Sequence, residues 1–373
     1  MILKKKPEMI LHAGFHKTGT TAIQSFAHKN SKELFRQGII YPDCDFSSKN
    51  NAEAHHEVAH AVADKGKYLQ MNQVPAIVAE WKRLAEISSS RLLVSSEVFC
   101  RHVDLEYSGS WNESRRSYLK KVADLFSEFK ITIVLVIRRQ DSFAKSFFQE
   151  KVMKNNSAGR RPFSSFLKQF LKEDQYSFLQ SINLFEEFFP EIKVLTYEDL
   201  VGGAGLCNNF FSSLGVDTSS MEQVGIVRKS MTPPKTLLKI FLNKAISSSK
   251  QNKQVINWIN SHEVSSLLES YYGDKVYDFW ESIDQRRNFL SNFAQENEIL
   301  RARFFSEKIE LFPPVKSSIS PEIPRLTDEL KAQTVLIGRC FKDQSPQKKP
   351  LPVKSTLLSR FKTRITNMLA RNE

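Results

Sequence analysis

The chain has 373 residues, of which 41% are hydrophobic and 11% aromatic, enough to build a packed core and to exclude wholesale disorder. Its net charge of +13 and isoelectric point near 9.4 point to acidic partners without choosing among nucleic acid, anionic glycan, anionic lipid and a polyphosphorylated small molecule. The four cysteines, Cys44, Cys100, Cys207 and Cys340, lie far apart with no CxxC pair, which argues against a zinc site and a dense disulfide framework and fits a reducing compartment.

Near the start, Lys4, Lys5 and Lys6 precede an apolar run that Pro7 and Glu8 interrupt. That run is too short for a signal peptide, and no stretch approaches membrane-spanning length, so a cytoplasmic protein is expected. The first predicted strand is Met9 to Ala13, which stops at Gly14. After the polar turn His16-Lys17-Thr18-Gly19-Thr20-Thr21, apolar residues recur at helical spacing. A strand, turn and helix in this order gather backbone N–H groups at the positive end of a helix, and Lys17 adds a mobile cation. A phosphate-like anion is therefore expected on Gly14, His16, Lys17, Thr18, Gly19, Thr20 and Thr21. The usual nucleotide loop places Lys directly after its second Gly, whereas here Lys17 precedes Gly19 by two places.

The helix predicted over Thr21 to Gln37 ends at Gly38, and Ile39 to Pro42 reads as an extended exit. Residues 43–56 form a polar loop ending in His55-His56, either solvated or at a substrate mouth, and Glu57 to Ala63 reads as helical. A helix over Pro75 to Ile87 leads into a strand at 91–95, followed by Ser96 and Glu97. In open parallel sheets ligands bind beyond the carboxyl ends of the strands, so Ser95, Ser96 and Glu97 should share a rim with the turn. Glu97 and His56 are the candidate proton acceptors. Glu97 is preferred, because it follows a core strand directly and should be held more rigidly.

A helix over Glu113 to Phe129 precedes Ile131 to Ile137, the β-branched run that a central parallel strand requires. It ends in Arg138-Arg139-Gln140-Asp141, with Asp141 the expected N-cap of a helix from Ser142 to Lys154. A strand of the ATPase type would end in an Asp that holds Mg²⁺, and two arginines here argue against that class. Arg138 stands at the strand end and Ser146 two turns into the next helix, and a guanidinium can grip phosphate bidentately. Helices at Phe163 to Leu171 and Tyr176 to Phe189 then lead to a strand at 192–197, a glycine-rich turn at Gly202, Gly203 and Gly205, and a short helix at Cys207 to Leu214. The expectation is an α/β fold with four parallel strands, at 9–13, 91–95, 131–137 and 192–197, occupying residues 1–225.

Beyond residue 225 the pattern is helical from Lys235 to Ile309, giving a helical C-terminal part over 226–312 that begins with the basic pair Arg228-Lys229. Prolines dominate 313–355 around one short predicted helix at Leu326 to Ile337. From Phe341 onward eight Lys/Arg stand against Asp343 and Glu373 alone. Residues 356–373 read as a basic amphipathic helix that could lie on an anionic membrane or dock on a partner.

The string Lys17-Thr18-Gly19-Thr20-Thr21 resembles the 5′-phosphosulfate loop of sulfotransferases, enzymes that use 3′-phosphoadenosine 5′-phosphosulfate (PAPS). Arg138 and Ser146, eight residues apart, are similar to that family's 3′-phosphate motif, although Gln140 stands where the family often has Pro. Tyr197-Glu198-Asp199-Leu200 resembles a further family feature. Arg138-Arg139-Gln140-Asp141 and the late Asn-bearing helix from Glu296 to Phe305 resemble a bacterial branch associated with surface-polysaccharide loci. The resemblance covers about residues 8–312, with the loop and the Arg/Ser motif its specific parts. It implies a P-loop-type sheet and transfer of a sulfuryl group from PAPS, without a metal, to a hydroxyl of a saccharide or polysaccharide precursor. It also implies that Lys17 opposes charge growing on the departing phosphate; Arg228, with Lys229, could add a phosphate contact of the kind late basic residues make in that family, or lie in a solvated loop. A P-loop kinase or NTPase would share the fold but needs the metal-binding Asp and the Gly-Lys order that are missing here. A non-catalytic nucleic-acid binder would explain the charge, yet no nucleic-acid module is recognisable, so no nucleic-acid partner is expected.

Overall fold

The computed structural model describes residues 5–43, 53–104, 109–172, 176–225, 231–244, 246, 248–273 and 277–315. Arg228 and Lys229, the helix expected over Leu326 to Ile337 and the basic segment 356–373 lie outside the described residues.

Five parallel strands form one sheet: β1 (Glu8–His12), β2 (Ile39–Ile40), β3 (Arg91–Ser95), β4 (Lys130–Ile137) and β5 (Glu191–Thr196), in the order β2-β3-β1-β4-β5. One strand more than the sequence pattern predicted is present. Ile39 and Ile40, read as an extended exit, pair with Arg91 and Leu92, and two residues are too few to show a period of two. β1 sits centrally, with Ile10 opposite Leu93 on one side and Thr132 on the other. Alternation along the buried strands sends Met9, Leu11, Ile133 and Leu135 to a core on one face, and Ile10, Leu93, Val134 and Val136 to a core on the other. Helices cover both faces, as parallel strands that are apolar on both sides demand.

The helices that matter for the site begin with α1 (Thr20–Lys29) and α2 (Ser31–Arg36). The single helix expected over Thr21 to Gln37 is broken at Asn30, whose amide donates to the carbonyls of Phe26 and Glu222; local amide bonding of this kind competes with helix continuation. Then follow α3 (His56–Val62), α4 (Val74–Ser88), α5 (Val98–Arg101), α6 (Trp111–Leu125), α7 (Gln140–Met153), α8 (Phe163–Phe170), α9 (Phe178–Glu186), α10 (Tyr197–Leu200) and α11 (Leu206–Ser213). Five helices complete the described chain: α12 (Pro233–Asn243), α13 (Ser249–Ile259), α14 (His262–Tyr272), α15 (Ile283–Ser291) and α16 (Ala294–Phe304). Helices α12 to α14 build a small core of their own around Leu238, Val255 and Leu268. Phe289, Phe293 and Leu300 of α15 and α16 instead join the main core. No helix among the described residues is long and apolar enough to cross a membrane.

Asp141 is not the N-cap of α7, a position that Arg139 takes. It lies in the first turn, fully buried, and binds the guanidinium of Arg139 at 2.8 and 3.1 Å as well as Arg286 of α15. Gln140 and Asn297 of α16 exchange amide hydrogen bonds at 2.6 and 3.2 Å. Gln140 and Asp141 thus tie the C-terminal helices to the end of β4, Arg139 reaches the Pro313 carbonyl beyond α16, and Arg138 faces the other way.

Candidate functional site

Connections leave the central strands in opposite directions between β1 and β4, which makes their carboxyl ends the switch point where an open sheet forms a crevice. The turn after β1 and Arg138 after β4 flank that point. In the turn, Lys17 and Gly19 both adopt positive φ, 64° and 82°, so the chain doubles back over β1 before α1 begins. Glycine is needed twice. A Cβ on Gly14 would come within 2.8 Å of His12 Nε2, and one on Gly19 would come within 2.3 Å of Leu206 Cδ2.

The threonines divide by role. The Thr18 hydroxyl is buried and donates to the Phe15 carbonyl at 2.5 Å, so its side chain braces the turn from inside. Thr20 is buried and Thr21 half-buried, both in the first turn of α1, where backbone N–H groups lack helical partners. His16 is half-buried, stacks on Phe147 with ring centroids 6.5 Å apart, and has a buried Nε2 without a hydrogen-bond partner. Burial first, then the charge of Arg101, pushes its pKa down to about 4. The imidazole is therefore neutral at neutral pH.

Arg138 reaches the turn directly: Nη1 donates to the Lys17 carbonyl at 2.8 Å and Nε to Ser142 Oγ at 2.8 Å. Its guanidinium lies 4.4 Å from the centre of the Tyr197 ring, a cation–π contact in a site largely shielded from water. Lys17 Nζ stands 3.8 Å from Glu150. Ser142, Ser146 and Glu150 recur every four residues along α7 and so share one face. Contacts at both ends of that face turn it toward the phosphate turn, with buried Ser146 between them. Burial opposes the Glu150 charge, but Lys154 and Lys17 outweigh it and hold the carboxyl below its usual range.

The two candidate proton acceptors come together. Glu97 follows β3 and its Oε2 lies 3.7 Å from His56 Nε2 and accepts from Gln24 Nε2 at 3.4 Å. Burial raises the Glu97 pKa, yet the nearby His56 and His16 and the Gln24 bond prevail and leave it below the usual carboxylate value. Ser96 Oγ accepts from the Val98 N–H at 3.2 Å and meets His56 Nδ1 at 2.7 Å. Because Ser96 Oγ meets Nδ1, Nε2 is the ring nitrogen that faces Glu97. Gln24 also donates to Ser95 Oγ, which meets His12 Nδ1 at 2.9 Å. One polar network thus runs from β1 under the turn to Glu97.

The adjacent histidines separate. His56 joins Glu97, whereas His55 is fully buried between Tyr41 and Trp81, with Nε2 donating to the Pro42 carbonyl at 3.1 Å and Nδ1 accepting from the Ser95 N–H at 3.0 Å. Gln24, Ser142 and Glu150 were not singled out from sequence, and Tyr197 was named only within the Tyr197-Glu198-Asp199-Leu200 string. The four-residue spacing of Ser142, Ser146 and Glu150 was the available signal; Gln24, beside Thr20, Thr21 and His28 on its helix, gave none. Among the described residues no group of three or more His, Cys, Asp or Glu could hold a metal ion.

No protein-family model matches the chain, and no curated protein matches it. A solved structure from a characterisation of the PezAT chromosomal toxin-antitoxin system of Streptococcus pneumoniae is similar over 52% of this chain and 70% of that one, at 16% identity and a TM-score of 0.24. At that TM-score nothing about this site follows from the likeness.

Proposed function

We propose that the chain is a sulfotransferase that uses PAPS and acts on a hydroxyl of a saccharide acceptor. The observation that carries this reading is the bond from Arg138 to the Lys17 carbonyl, which joins the two phosphate-type motifs of the sequence in one crevice. The residues fit such a nucleotide: the turn is glycine where a side chain would close it, a buried His16 nitrogen lacks a partner, and Lys17 in the turn and Arg138 against it are cationic. Bound there, PAPS would supply the sulfuryl group and leave as 3′-phosphoadenosine 5′-phosphate.

Each residue then has a task. Gly14, Gly19 and the first N–H groups of α1 hold the 5′ end, with Lys17 placed to oppose negative charge as it grows on the departing phosphate. Arg138 and Ser146 take the 3′-phosphate. His16, kept neutral, can donate a hydrogen bond without adding charge. Glu97 accepts the acceptor's proton: His56 and Gln24 hold Oε2 in place, and a lowered pKa keeps the carboxylate ionised. Residues 356–373 are proposed to bring the enzyme to an anionic membrane face, as a cytoplasmic enzyme with lipid-carried acceptors would need.

The test is release of 3′-phosphoadenosine 5′-phosphate from PAPS in the presence of a saccharide mixture. Wild type should release it and Lys17→Ala should not; equal release by both would remove Lys17 from the chemistry.

A further inference from the structure

A cleft of about 420 Å³ opens beside Phe15 and His16 of the turn. Its walls include the rings of Trp111, Tyr176 and Phe147, and Arg101 and Lys151 stand at its rim. Trp111 and Tyr176 are half-buried, so part of each ring remains accessible. Flat aromatic faces beside fixed charge suit a ring that is apolar on its face and charged at its edge.

Arg101 closes α5, whose N-cap is Glu97. Four residues apart, the two side chains share one face of that single turn, about 5–6 Å apart at Cβ, which is close to the width of a pyranose ring. Arg101 is exposed, and among the described residues no carboxylate forms an ion pair with it. Lys151 lies on the neighbouring wall, its ammonium 4.4 Å from the centre of the Phe147 ring. The carboxylate in the cleft, Glu150, is engaged by Lys154 and Lys17. The rim therefore presents the positive charge of Arg101 on the same turn as the proton acceptor.

We infer that the acceptor is an acidic saccharide: a uronic-acid-type ring lying on Trp111 and Tyr176, its carboxylate held by Arg101, its hydroxyl presented to Glu97. This inference rests on the sulfotransferase reading above. A guanidinium binds carboxylate through two parallel N–H bonds, so Arg101 selects the acid over a neutral sugar of the same shape.

The test titrates p-nitrophenyl β-D-glucuronide and p-nitrophenyl β-D-glucoside, which differ at the sugar's C6 group, into the full chain saturated with 3′-phosphoadenosine 5′-phosphate, with binding followed calorimetrically. The glucuronide should bind about tenfold or more tightly than the glucoside. Arg101→Gln should abolish the difference and Arg101→Lys should restore part of it. Equal binding of the two sugars, binding of neither, or a preference that survives Arg101→Gln would overturn the inference. So would a preference seen in the free chain that the nucleotide abolishes, since the cations would then serve the nucleotide. The nucleotide's own binding separates the two levels: if it binds and the sugars are not distinguished, the acceptor assignment alone fails. If the glucuronide is preferred by a chain that does not bind the nucleotide, the acid-sugar site stands and the sulfotransferase reading fails.

Discussion

Arg138 donates a hydrogen bond to the main-chain carbonyl of Lys17 at 2.8 Å. One side chain thereby connects the residue that follows β4 with one of the two left-handed residues of the turn. The arginine braces the turn and faces the crevice at once, so its loss should be felt at more than one phosphate.

Arg138→Ala should weaken 3′-phosphoadenosine 5′-phosphate by about 10- to 100-fold, the worth of hydrogen bonds to a charged group. AMP, which lacks the 3′-phosphate, should lose less. Arg138→Lys should recover part of the affinity, because an ammonium restores charge but not the planar fork. Equal losses for both nucleotides, measured by calorimetry, would leave Arg138 a brace alone.

Glu97→Gln should keep the fold and nucleotide affinity and lower turnover by ~10²–10⁴, the usual contribution of a positioned proton acceptor. His56→Ala should cost less, since His56 steadies Oε2 rather than taking the proton. A base must be deprotonated, and Glu97 is held below its ordinary value of 4.5. The acid limb of kcat should therefore fall below that value, read over the pH range where the protein stays folded. A limb near the unperturbed imidazole value of about 6.5 would hand the proton to a histidine.

Stability should fall on mild acidification. Burial holds His12 and His55 at about 4, against 6.5 when exposed, so between these values the unfolded chain binds more protons than the folded one. Linkage makes the unfolding free energy rise with pH in that window, by up to about 1.4 kcal/mol per unit for each group. It is lost as pH drops from 6.5 toward 4. For His55 the reason is visible: a proton on Nδ1 would oppose the Ser95 N–H that now donates there. Melting temperatures from pH 7 to pH 4.5 should decline steadily; a flat profile would mean these rings are not buried as described.

Gly19→Ala should destabilise the chain by about 1–3 kcal/mol, the cost of a non-glycine residue held at an unfavourable positive φ, and lower the melting temperature. The new Cβ also meets Leu206. Adding Leu206→Ala should relieve the clash but not the backbone strain, so the two losses should combine to less than their sum. Wild-type melting of Gly19→Ala would contradict the turn's geometry.

Much of the fold was legible because its strongest signals are local. Ile131 to Ile137 is an apolar run broken by Thr132 alone, and Gly14 to Thr21 is a turn between two patterns of different period. What was missed depends on distant partners. Ile39 and Ile40 become a strand through β3, Asn30 breaks a helix by reaching Glu222, and Asp141 leaves the cap position for Arg286, 145 residues later. In the site, the rim position of Glu97 followed from the rule for parallel sheets. Its pairing with His56 did not, because a bond between a strand end and a loop end has no spacing in sequence. For the same reason His55 and His56 look alike in the chain and differ wholly in place.

The most direct measurement is calorimetric titration of the purified chain, in chelator, with 3′-phosphoadenosine 5′-phosphate and with AMP. The account predicts that the 3′-phosphorylated nucleotide binds without metal and about tenfold or more tightly, because Arg138 and Ser146 meet a group that AMP lacks. Equal affinity for the two nucleotides, or binding that appears only when Mg²⁺ is added, would contradict it.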